Sequence, residues 1–224
     1  MRGMQNLHFE KLIPFLGSFG KGFVMTVQTT AISFLLAIVL AVLLAAMRMS
    51  KVKLLIVIHD TWVLIIRSLP LLLQLFILTY LPGTFGIRMP VVISGEITLA
   101  INASVYMTES IRGGIMGVDK GQREAAMALG LGSVTTFIFI IIPQAVKFIL
   151  PALLNEVIQQ FKSTSMLAQI GVAELFLAGH NMLTATFASF EPYLFVAVIY
   201  YVCVLFLTKI SSMVERRLGQ SDRS

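Results

Sequence analysis

The stretch that decides the fold of this chain is residues 124–143, EAAMALGLGSVTTFIFIIIP. Its first half is polar and rich in alanine, which favours a short helix that ends at Gly130. Its second half is an apolar helix that Pro143 interrupts. A polar helix set between apolar segments predicts a docking element on which a partner outside the membrane pushes or pulls. The alternative is an ordinary polar loop with helical character, and these residues alone leave both open.

The composition indicates that lipid surrounds much of the chain. Of 224 residues, 57% are hydrophobic and 12% are charged, and the mean hydropathy is +0.89. Soluble domains carry roughly 25% charged residues, and a chain of this size cannot bury so much apolar surface in one water-soluble core. The net charge of +6 gathers at the ends of apolar segments, which argues against a nucleic-acid partner. The single Cys203 supports neither a disulfide framework nor a zinc site.

Five apolar segments are long enough to cross a bilayer, since about 20 residues suffice. They cover about 22–47, 54–80, 91–116, 137–160 and 193–210. Residues 172–178 are apolar but too short to cross, and they predict a re-entrant or interfacial helix. Residues 1–21 lack the pattern of a signal peptide and predict a short amphipathic lead-in, whereas 218–224 predict a polar tail. The expected fold is therefore all-α, an integral membrane bundle of five helices.

The distribution of basic residues predicts the orientation of these spans. One set of loops holds ten: Arg48, Lys51, Lys53, Arg112, Lys120, Arg123, Lys209, Arg216, Arg217 and Arg223. The opposite set holds five: Arg2, Lys11, Lys21, Arg88 and Lys162. Because basic loops stay in the cytoplasm, we expect the amino end outside and the carboxyl end inside. The segment 117–136 is then cytoplasmic.

The cytoplasmic segment carries helix-end signals. Asp119 is a candidate N-cap, and Gln122 three residues later completes a pattern like a capping box. Gly130 suits the left-handed turn that ends a helix, and Ser133 is a candidate cap for the next one. Pro143 and Pro151 lie inside that next helix, where each removes a backbone hydrogen bond and tends to kink it.

Polar side chains on the third span form one stripe. Asn102, Tyr106, Glu109 and Gly113 are spaced by four, three and four residues, which places them on one helix face. Because polar groups inside a membrane are costly, such a stripe predicts the lining of a path that holds a zwitterion. The alternative is contact between helices, with Glu109 paired to Arg112. Both readings stay open for Asn102 and Tyr106, and the structural one is favoured for Glu109.

The fourth span offers a second polar group near its outer end, consisting of Asn155, Glu156, Gln159 and Gln160, followed by Lys162, Ser163, Thr164 and Ser165. Amides and hydroxyls at a break of this kind can receive a carboxylate, and an acidic Glu156 favours a cationic substrate. The alternative for Glu156 is an ion pair with Lys162.

Other charged and aromatic residues are expected to have structural roles. Arg67 and Asp60 share one face of the second span, so we expect them to pair, with Arg67 also able to line a cavity. His59 and His180 lack companions at metal-ligand spacing, so no metal site is expected. Trp62 and Tyr80 are candidates for the membrane interfaces.

Residues 124–143 resemble the Glu-Ala-Ala signature of ABC importer permeases. The matching positions are Glu124, Ala125, Ala126, Gly130, Ile140 and Pro143, whereas Ile142 stands where the family usually has Leu. Further blocks resemble the same family: 67–74 (RSLPLLLQ), 102–113 (NASVYMTESIRG), 120–122 (KGQ), 161–165 (FKSTS), 191–192 (EP) and 215–217 (ERR). Together they cover about 22–217 and resemble the branch that carries polar amino acids, namely the histidine, arginine and glutamine permeases. Ser163 departs from that pattern, which usually has Asp there, so an acidic contact at this position is not expected.

The resemblance implies a fold and a set of partners. The fold is that of a MetI-like, type I ABC importer permease, in which 124–130 form a coupling helix that rests on an ATPase subunit. Residues implied in coupling are Gly121, Glu124, Ala125, Ala126, Gly130 and Pro143. Residues implied in the substrate path are Asn102, Tyr106, Glu109, Glu156, Gln159, Gln160, Ser163, Thr164 and Ser165.

The resemblance also implies how the transporter is assembled and driven. The chain lacks the phosphate loop GxxxxGK[ST], so ATP and Mg²⁺ belong to a separate ATPase dimer and the chain itself is not an enzyme. The other expected partners are a second permease subunit, identical or homologous, and an extracytoplasmic solute-binding protein. The expected location is the bacterial inner membrane. The expected cargo is arginine or another basic amino acid.

Four other functions remain as alternatives. A permease for neutral polar amino acids such as glutamine or cystine differs only in its cargo. A channel that works without ATP needs filter-like backbone rings, which are not apparent. An intramembrane enzyme needs a catalytic group that His8, His59 and His180 do not supply. The phosphonate and metal-chelate branches of ABC permeases do not fit blocks 67–74 and 102–113.

Overall fold

The chain is built from helices. A computed structural model describes residues 9–187 and 190–220, apart from the side chains of 219 and 220, and in this part no strand occurs. The predicted all-α fold is therefore confirmed. The helices are α1 Leu16–Met49, α2 Lys53–Ser68, α3 Leu71–Thr84, α4 Val91–Met116, α5 Lys120–Ala128, α6 Ser133–Thr136, α7 Ile142–Ser163, α8 Leu175–Thr186 and α9 Glu191–Gln220. Turns of 3₁₀ helix occur at Phe9–Phe15 and Thr164–Ile170, and a π-helical turn occurs at Phe137–Ile141.

Five segments of the described chain are long and apolar enough to cross a bilayer, if α2 and α3 count as one bent segment. The other four are Phe9–Met49, Val91–Met116, Ser133–Ile170 and Glu191–Leu218. Three of these four are longer than the sequence predicted. Of the predicted lead-in, residues 9–15 form a 3₁₀ turn and 16–21 already belong to α1; residues 1–8 lie outside the described residues. Of the predicted tail, 218–220 still belong to α9, and 221–224 lie outside the described residues.

The core of the bundle is the contact between α1 and α4. Ala37, Ala41 and Ala45 of α1 are buried at helical spacing, and they pack in one cluster with Ala103 and Met107 of α4. Small side chains let two helix backbones approach closely, which is the usual basis of helix packing in lipid. The Thr108 hydroxyl donates to the Ala41 carbonyl at 3.3 Å and adds a polar tie between the same helices.

A sharp elbow separates α2 from α3. The two helices are bent by 106° at Leu69 and Pro70, so the predicted span 54–80 is not a single straight helix. Pro70 cannot donate a backbone hydrogen bond, and it forces the preceding residue into an extended conformation. Gln74, which is 4% exposed, holds the elbow closed because its Nε2 donates to the carbonyls of Ile66 at 2.8 Å and Leu69 at 2.9 Å.

The polar helix α5 begins and ends at defined caps. The Asp119 carboxylate accepts from the backbone N–H of Gly121 at 2.6 Å, so the predicted N-cap is confirmed. Gly130 has φ +77°, and the N–H of Leu131 bonds to the Ala126 carbonyl, as in a Schellman motif.

Two details of the predicted caps are wrong. The Gln122 side-chain oxygen accepts from Gln144 of α7 instead of returning to the backbone of Asp119. Ser133 is the first residue of α6, with Gly132 in the capping position, and makes no capping bond.

The segment from α6 to the end of α7 forms one long helical path with an irregular start. The π-helical turn Phe137–Ile141 comes directly before α7, whose second residue is Pro143. Proline lacks the N–H that the regular ladder needs, so the hydrogen bonding shifts at this point. Pro143 therefore lies at the start of α7, whereas Pro151 lies in its interior, as predicted.

The short apolar segment becomes helix α8, which begins at Leu175, later than the predicted 172–178, and continues to Thr186. Glu174, fully buried, caps it: its carboxylate accepts from the N–H groups of Phe176 at 2.8 Å and Leu177 at 2.7 Å. The same carboxylate accepts from the Tyr200 hydroxyl at 3.1 Å, which ties α8 to α9. Sequence analysis did not single out this carboxylate.

Candidate functional site

A polar cavity lies between α3, α4 and α7, with a volume of about 280 Å³. Its lining residues are Leu71, Leu99, Asn102, Ala103, Tyr106, Glu156, Gln159, Gln160 and Ser163. Small-molecule sites typically occupy about 300–1,000 Å³, so this space is near the lower end of that range. The structure thus brings together six of the nine residues that were expected along a substrate path.

The stripe on α4 explains one wall of the cavity. Asn102 and Tyr106 are one helical turn apart, and Tyr106 is 42% exposed although it lies in the middle of α4. The residues between them, such as Ala103 and Val105, are buried in the bundle. The periodicity therefore predicted correctly which face of α4 remains open.

The amide of Gln160 bonds to other helices of the bundle and also lines the cavity. It is 3% exposed, and its Oε1 accepts from the Ser33 hydroxyl of α1 at 2.8 Å. Its Nε2 donates to the Leu99 carbonyl of α4 at 3.4 Å. Because both ends of this amide are engaged, we regard Gln160 as a residue that fixes the wall, and Glu156 and Gln159 as the groups free to meet a solute.

Asn102 is also held in place by the elbow. Its Nδ2 donates to the Gln74 Oε1 at 3.2 Å, while the Gln74 Nε2 binds the elbow carbonyls. Gln74 is thus a positioning residue, although it was not among the residues expected along the substrate path. The signal was present in the block 67–74, because an amide four residues after a helix-breaking proline can bond back to the carbonyls that the proline leaves free.

Three of the residues expected along the path lie elsewhere. Glu109 pairs with Arg112, with N–O distances of 2.7 and 3.2 Å, which agrees with the structural reading. Thr164 is buried and donates to the Phe161 carbonyl. Ser165 lines a separate cavity of about 640 Å³ with Lys162. Among the described residues Lys162 makes no ion pair with Glu156, and the two residues line different cavities.

Arg67 does not pair with Asp60, contrary to the prediction. The Asp60 carboxylate instead accepts from Arg48 Nε at 3.1 Å and lies 2.8 Å from His59 Nδ1. The Arg67 guanidinium lies over the ring of Tyr106, with Cζ 5.0 Å from the ring centroid. This distance is within the usual range of a cation–π contact.

The outer surface of α5 forms a second candidate site. Ala126 is 1% exposed and packs inward, whereas Glu124 and Ala125 face out. Met127 and Leu129 are 63% and 79% exposed. Apolar side chains exposed on an otherwise polar helix are typical of a docking surface.

The other residues expected in coupling lie next to this surface but are not part of it. Gly121 carries the first capped N–H of α5, and Gly130 ends the helix. Pro143 lies in α7, beside Gln144, whose Nε2 donates to Gln122 of α5 at 3.3 Å.

The fold and its apolar segments together indicate an integral membrane protein whose bundle holds a polar cavity and exposes the polar helix α5. A family model described as "Binding-protein-dependent transport system inner membrane component" matches residues 16–220. The chain belongs to this family, and the predicted ABC importer permease is confirmed.

Curated relatives support the same branch. The arginine transport system permease protein ArtQ of Bacillus subtilis (strain 168) is 34% identical over 218 residues, which are 97% of this chain and 100% of that protein. A putative glutamine transport system permease protein GlnP of Rickettsia bellii is 34% identical, covering 94% and 98% of the two chains. The L-cystine transport system permease protein TcyB of Bacillus subtilis is 35% identical, covering 89% and 86%. The resemblance to polar amino-acid permeases is therefore confirmed.

Solved structures share the fold. A crystal structure of an amino acid ABC transporter with histidines superposes with a TM-score of 0.89 at 36% identity, covering 95% of this chain and 100% of that chain. An inward-facing structure of the MetNI methionine ABC transporter superposes with a TM-score of 0.76 at 18% identity, covering 92% and 98%. The second likeness concerns the fold alone.

Proposed function

We propose that this chain is a permease subunit that carries a cationic amino acid, arginine in the first place, into the cell. The observation that carries the proposal is the presence of Glu156 in a cavity otherwise lined by neutral polar and apolar groups. In the described part of the chain, no basic side chain forms an ion pair with this carboxylate. A charged group inside a membrane requires a counter-charge, and a guanidinium or ammonium group of a solute supplies one.

The neutral groups of the cavity suit the remainder of an amino acid. Asn102 and Gln159 offer amide donors and acceptors, and Ser163 offers a hydroxyl. Leu71 and Leu99 provide apolar surface for the methylene groups of a long side chain. The names of the relatives, which include arginine, glutamine and cystine systems, are consistent with a cavity of this mixed character.

We also propose that α5 docks on a cytoplasmic ATPase subunit, with Met127 and Leu129 as its apolar anchors. The excess of basic residues in the loops on that side supports a cytoplasmic position for α5, and the proposal includes an amino end on the opposite, outer side. ATP and Mg²⁺ are then bound by the ATPase dimer, and the chain performs no bond chemistry. A second permease subunit completes the path, and an extracytoplasmic binding protein delivers the solute to this inner-membrane assembly.

The test is ATP hydrolysis by the permease, its ATPase and its binding protein reconstituted in liposomes, with arginine, lysine, citrulline, glutamine or cystine added in turn. We expect arginine and lysine to stimulate hydrolysis most. Citrulline is the matched control, because it has nearly the shape of arginine without the side-chain charge. Stronger stimulation by glutamine or cystine would favour the neutral alternative. Uptake without ATP would favour a channel.

A further inference from the structure

The elbow between α2 and α3 brings one cation to the rim of the polar cavity. Arg67 is in the last turn of α2, and its guanidinium lies 5.0 Å from the ring centroid of Tyr106, which lines the cavity. Leu71, the first residue of α3 and four residues after Arg67, lines the cavity directly. The elbow is fixed by Gln74, which also binds Asn102 of the cavity wall. Arg67 is therefore held at this place by the same bonds that shape the cavity.

The charges around Arg67 do not balance within the described residues. Asp60 is bonded by Arg48, and Glu109 by Arg112. Arg67 also acts electrostatically on Glu109 but makes no bond to it, nor an ion pair with any other described residue. Three arginines thus share two carboxylates, and one positive charge remains. Arg67 is an exposed residue, so its guanidinium is accessible to a solute.

The cavity consequently has two unlike ends. Glu156, on α7, contributes a carboxylate without an ion-pair partner, and Arg67, beside Tyr106 on α4, contributes the unbalanced guanidinium. The planar fork of a guanidinium matches a carboxylate with two parallel hydrogen bonds. A cationic amino acid presents these complementary groups, a carboxylate at one end and a cation at the other.

We propose that Arg67 is a specificity-determining residue that receives the α-carboxylate of the solute, while Glu156 receives the cationic side chain. This inference rests on the proposed function. It adds a binding partner for the α-carboxylate, which every amino acid has. Tyr106 holds the guanidinium through the contact with its ring, and Gln74 positions the helix end that carries it.

The experiment measures binding of radiolabelled arginine to the purified permease–ATPase complex without the binding protein, so that only the permease selects. Unlabelled arginine, agmatine and citrulline compete. Agmatine lacks the carboxylate and citrulline lacks the side-chain charge. The variants are Arg67→Gln, Arg67→Lys and Glu156→Gln. Arg88→Gln is the matched control, because Arg88 is exposed in the loop between α3 and α4.

We expect the variants to change two preferences separately, the preference for arginine over agmatine and the preference for arginine over citrulline. A hydrogen bond between charged groups contributes enough to change affinity by about tenfold to a hundredfold. Arg67→Gln should therefore weaken arginine and citrulline by that factor while leaving agmatine within about threefold, so that the preference for arginine over agmatine disappears. Glu156→Gln should remove the preference for arginine over citrulline and keep the preference over agmatine. Arg88→Gln should change neither.

Several outcomes would overturn the inference. Equal weakening of all three ligands by Arg67→Gln would mean that Arg67 has only a structural role. Loss of the second permease subunit when the Arg67→Gln complex is purified would mean that Arg67 belongs to the subunit interface. If Arg67→Gln does not assemble, Arg67→Lys decides, because lysine cannot form the bidentate pair: an arginine-to-agmatine ratio equal to that of the wild type refutes the proposal.

The proposed function fails differently. Direct binding of radiolabelled glutamine is therefore measured alongside that of arginine. If glutamine binds and arginine does not, the cationic cargo is wrong, and Arg67 is tested with glutamine against its decarboxylated amine. If neither amino acid binds, the proposed function itself is refuted.

Discussion

The end of α5 offers a test in which only backbone conformation changes. Gly130 has φ +77°, and a Cβ added there meets no atom within 4 Å. Gly132 is equally open but has φ −66°. Gly130→Ala therefore imposes the penalty of a left-handed alanine, roughly 1–2 kcal/mol, whereas Gly132→Ala imposes none. An energy of this size changes a local equilibrium by a factor of about 5–30.

Two measurements test the effect of the Gly130→Ala penalty, one on the end of α5 and one on transport. Hydrogen exchange reports the opening of the cap, because the Leu131 N–H is bonded to the Ala126 carbonyl only while the cap is formed. We expect exchange at Leu131 to be about 5–30 times faster in Gly130→Ala and nearly unchanged in Gly132→Ala. In liposomes with the ATPase and binding protein, Gly130→Ala should hydrolyse more ATP for each amino acid imported, because a frayed α5 transmits motion poorly.

Two outcomes for this pair of variants would contradict the prediction. Equal exchange in the two variants would mean that the left-handed turn does not hold the end of α5. Faster exchange with an unchanged ratio of ATP to substrate would mean that the end of α5 is dispensable for coupling. In either case the exposed apolar residues beside Gly130 would need another explanation.

Three further predictions concern the cavity and the packing. Glu156→Gln should lower arginine uptake about tenfold to a hundredfold and citrulline uptake less than threefold, because only arginine loses a charged hydrogen bond; equal losses in paired uptake assays would make Glu156 structural. Gly22→Ala should destabilise the subunit by about 1–3 kcal/mol, because its Cβ would lie 3.0 Å from the backbone of Glu174. Gly17→Ala, where the space is open, is its control, and similar melting temperatures of the two variants in detergent would contradict the packing. Glu174→Gln should lower the melting temperature as well, because an amide N–H would face a backbone donor at a cost of about 1–3 kcal/mol; an unchanged melting temperature would show that the cap contributes little.

The sequence was sufficient where a single helix carries the information. The stripe of Asn102 and Tyr106 predicted the open face of α4, because helical periodicity fixes which residues share a face. Asp119 and Gly130 were recognised from the local chemistry of helix ends. The approximate positions of the apolar segments followed from length and hydropathy alone.

The sequence was insufficient where partners come from different helices. Asp60 and Arg67 lie seven residues apart and share a face, yet Asp60 pairs with Arg48 of α1 because the α1–α2 connection brings those two together. Thr164 and Ser165 follow Ser163 directly, but the 3₁₀ turn that starts at Thr164 directs them away from the cavity. Glu174 falls inside the predicted segment 172–178, and only the fold shows that it caps α8 and that Tyr200 of α9 completes its hydrogen bonds.

Helix α7 joins the two candidate sites physically. Near its start Gln144 is bonded to Gln122 of α5, and further along Glu156 lines the polar cavity. The twelve helical steps from Gln144 to Glu156 span about 18 Å. A displacement of α5 can therefore reach the cavity through one element, without a relay of side chains. Because Gln160 anchors the far end of the same helix to α1 and α4, we expect α7 to pivot about this anchor and to change the separation between Glu156 and the wall formed by α4.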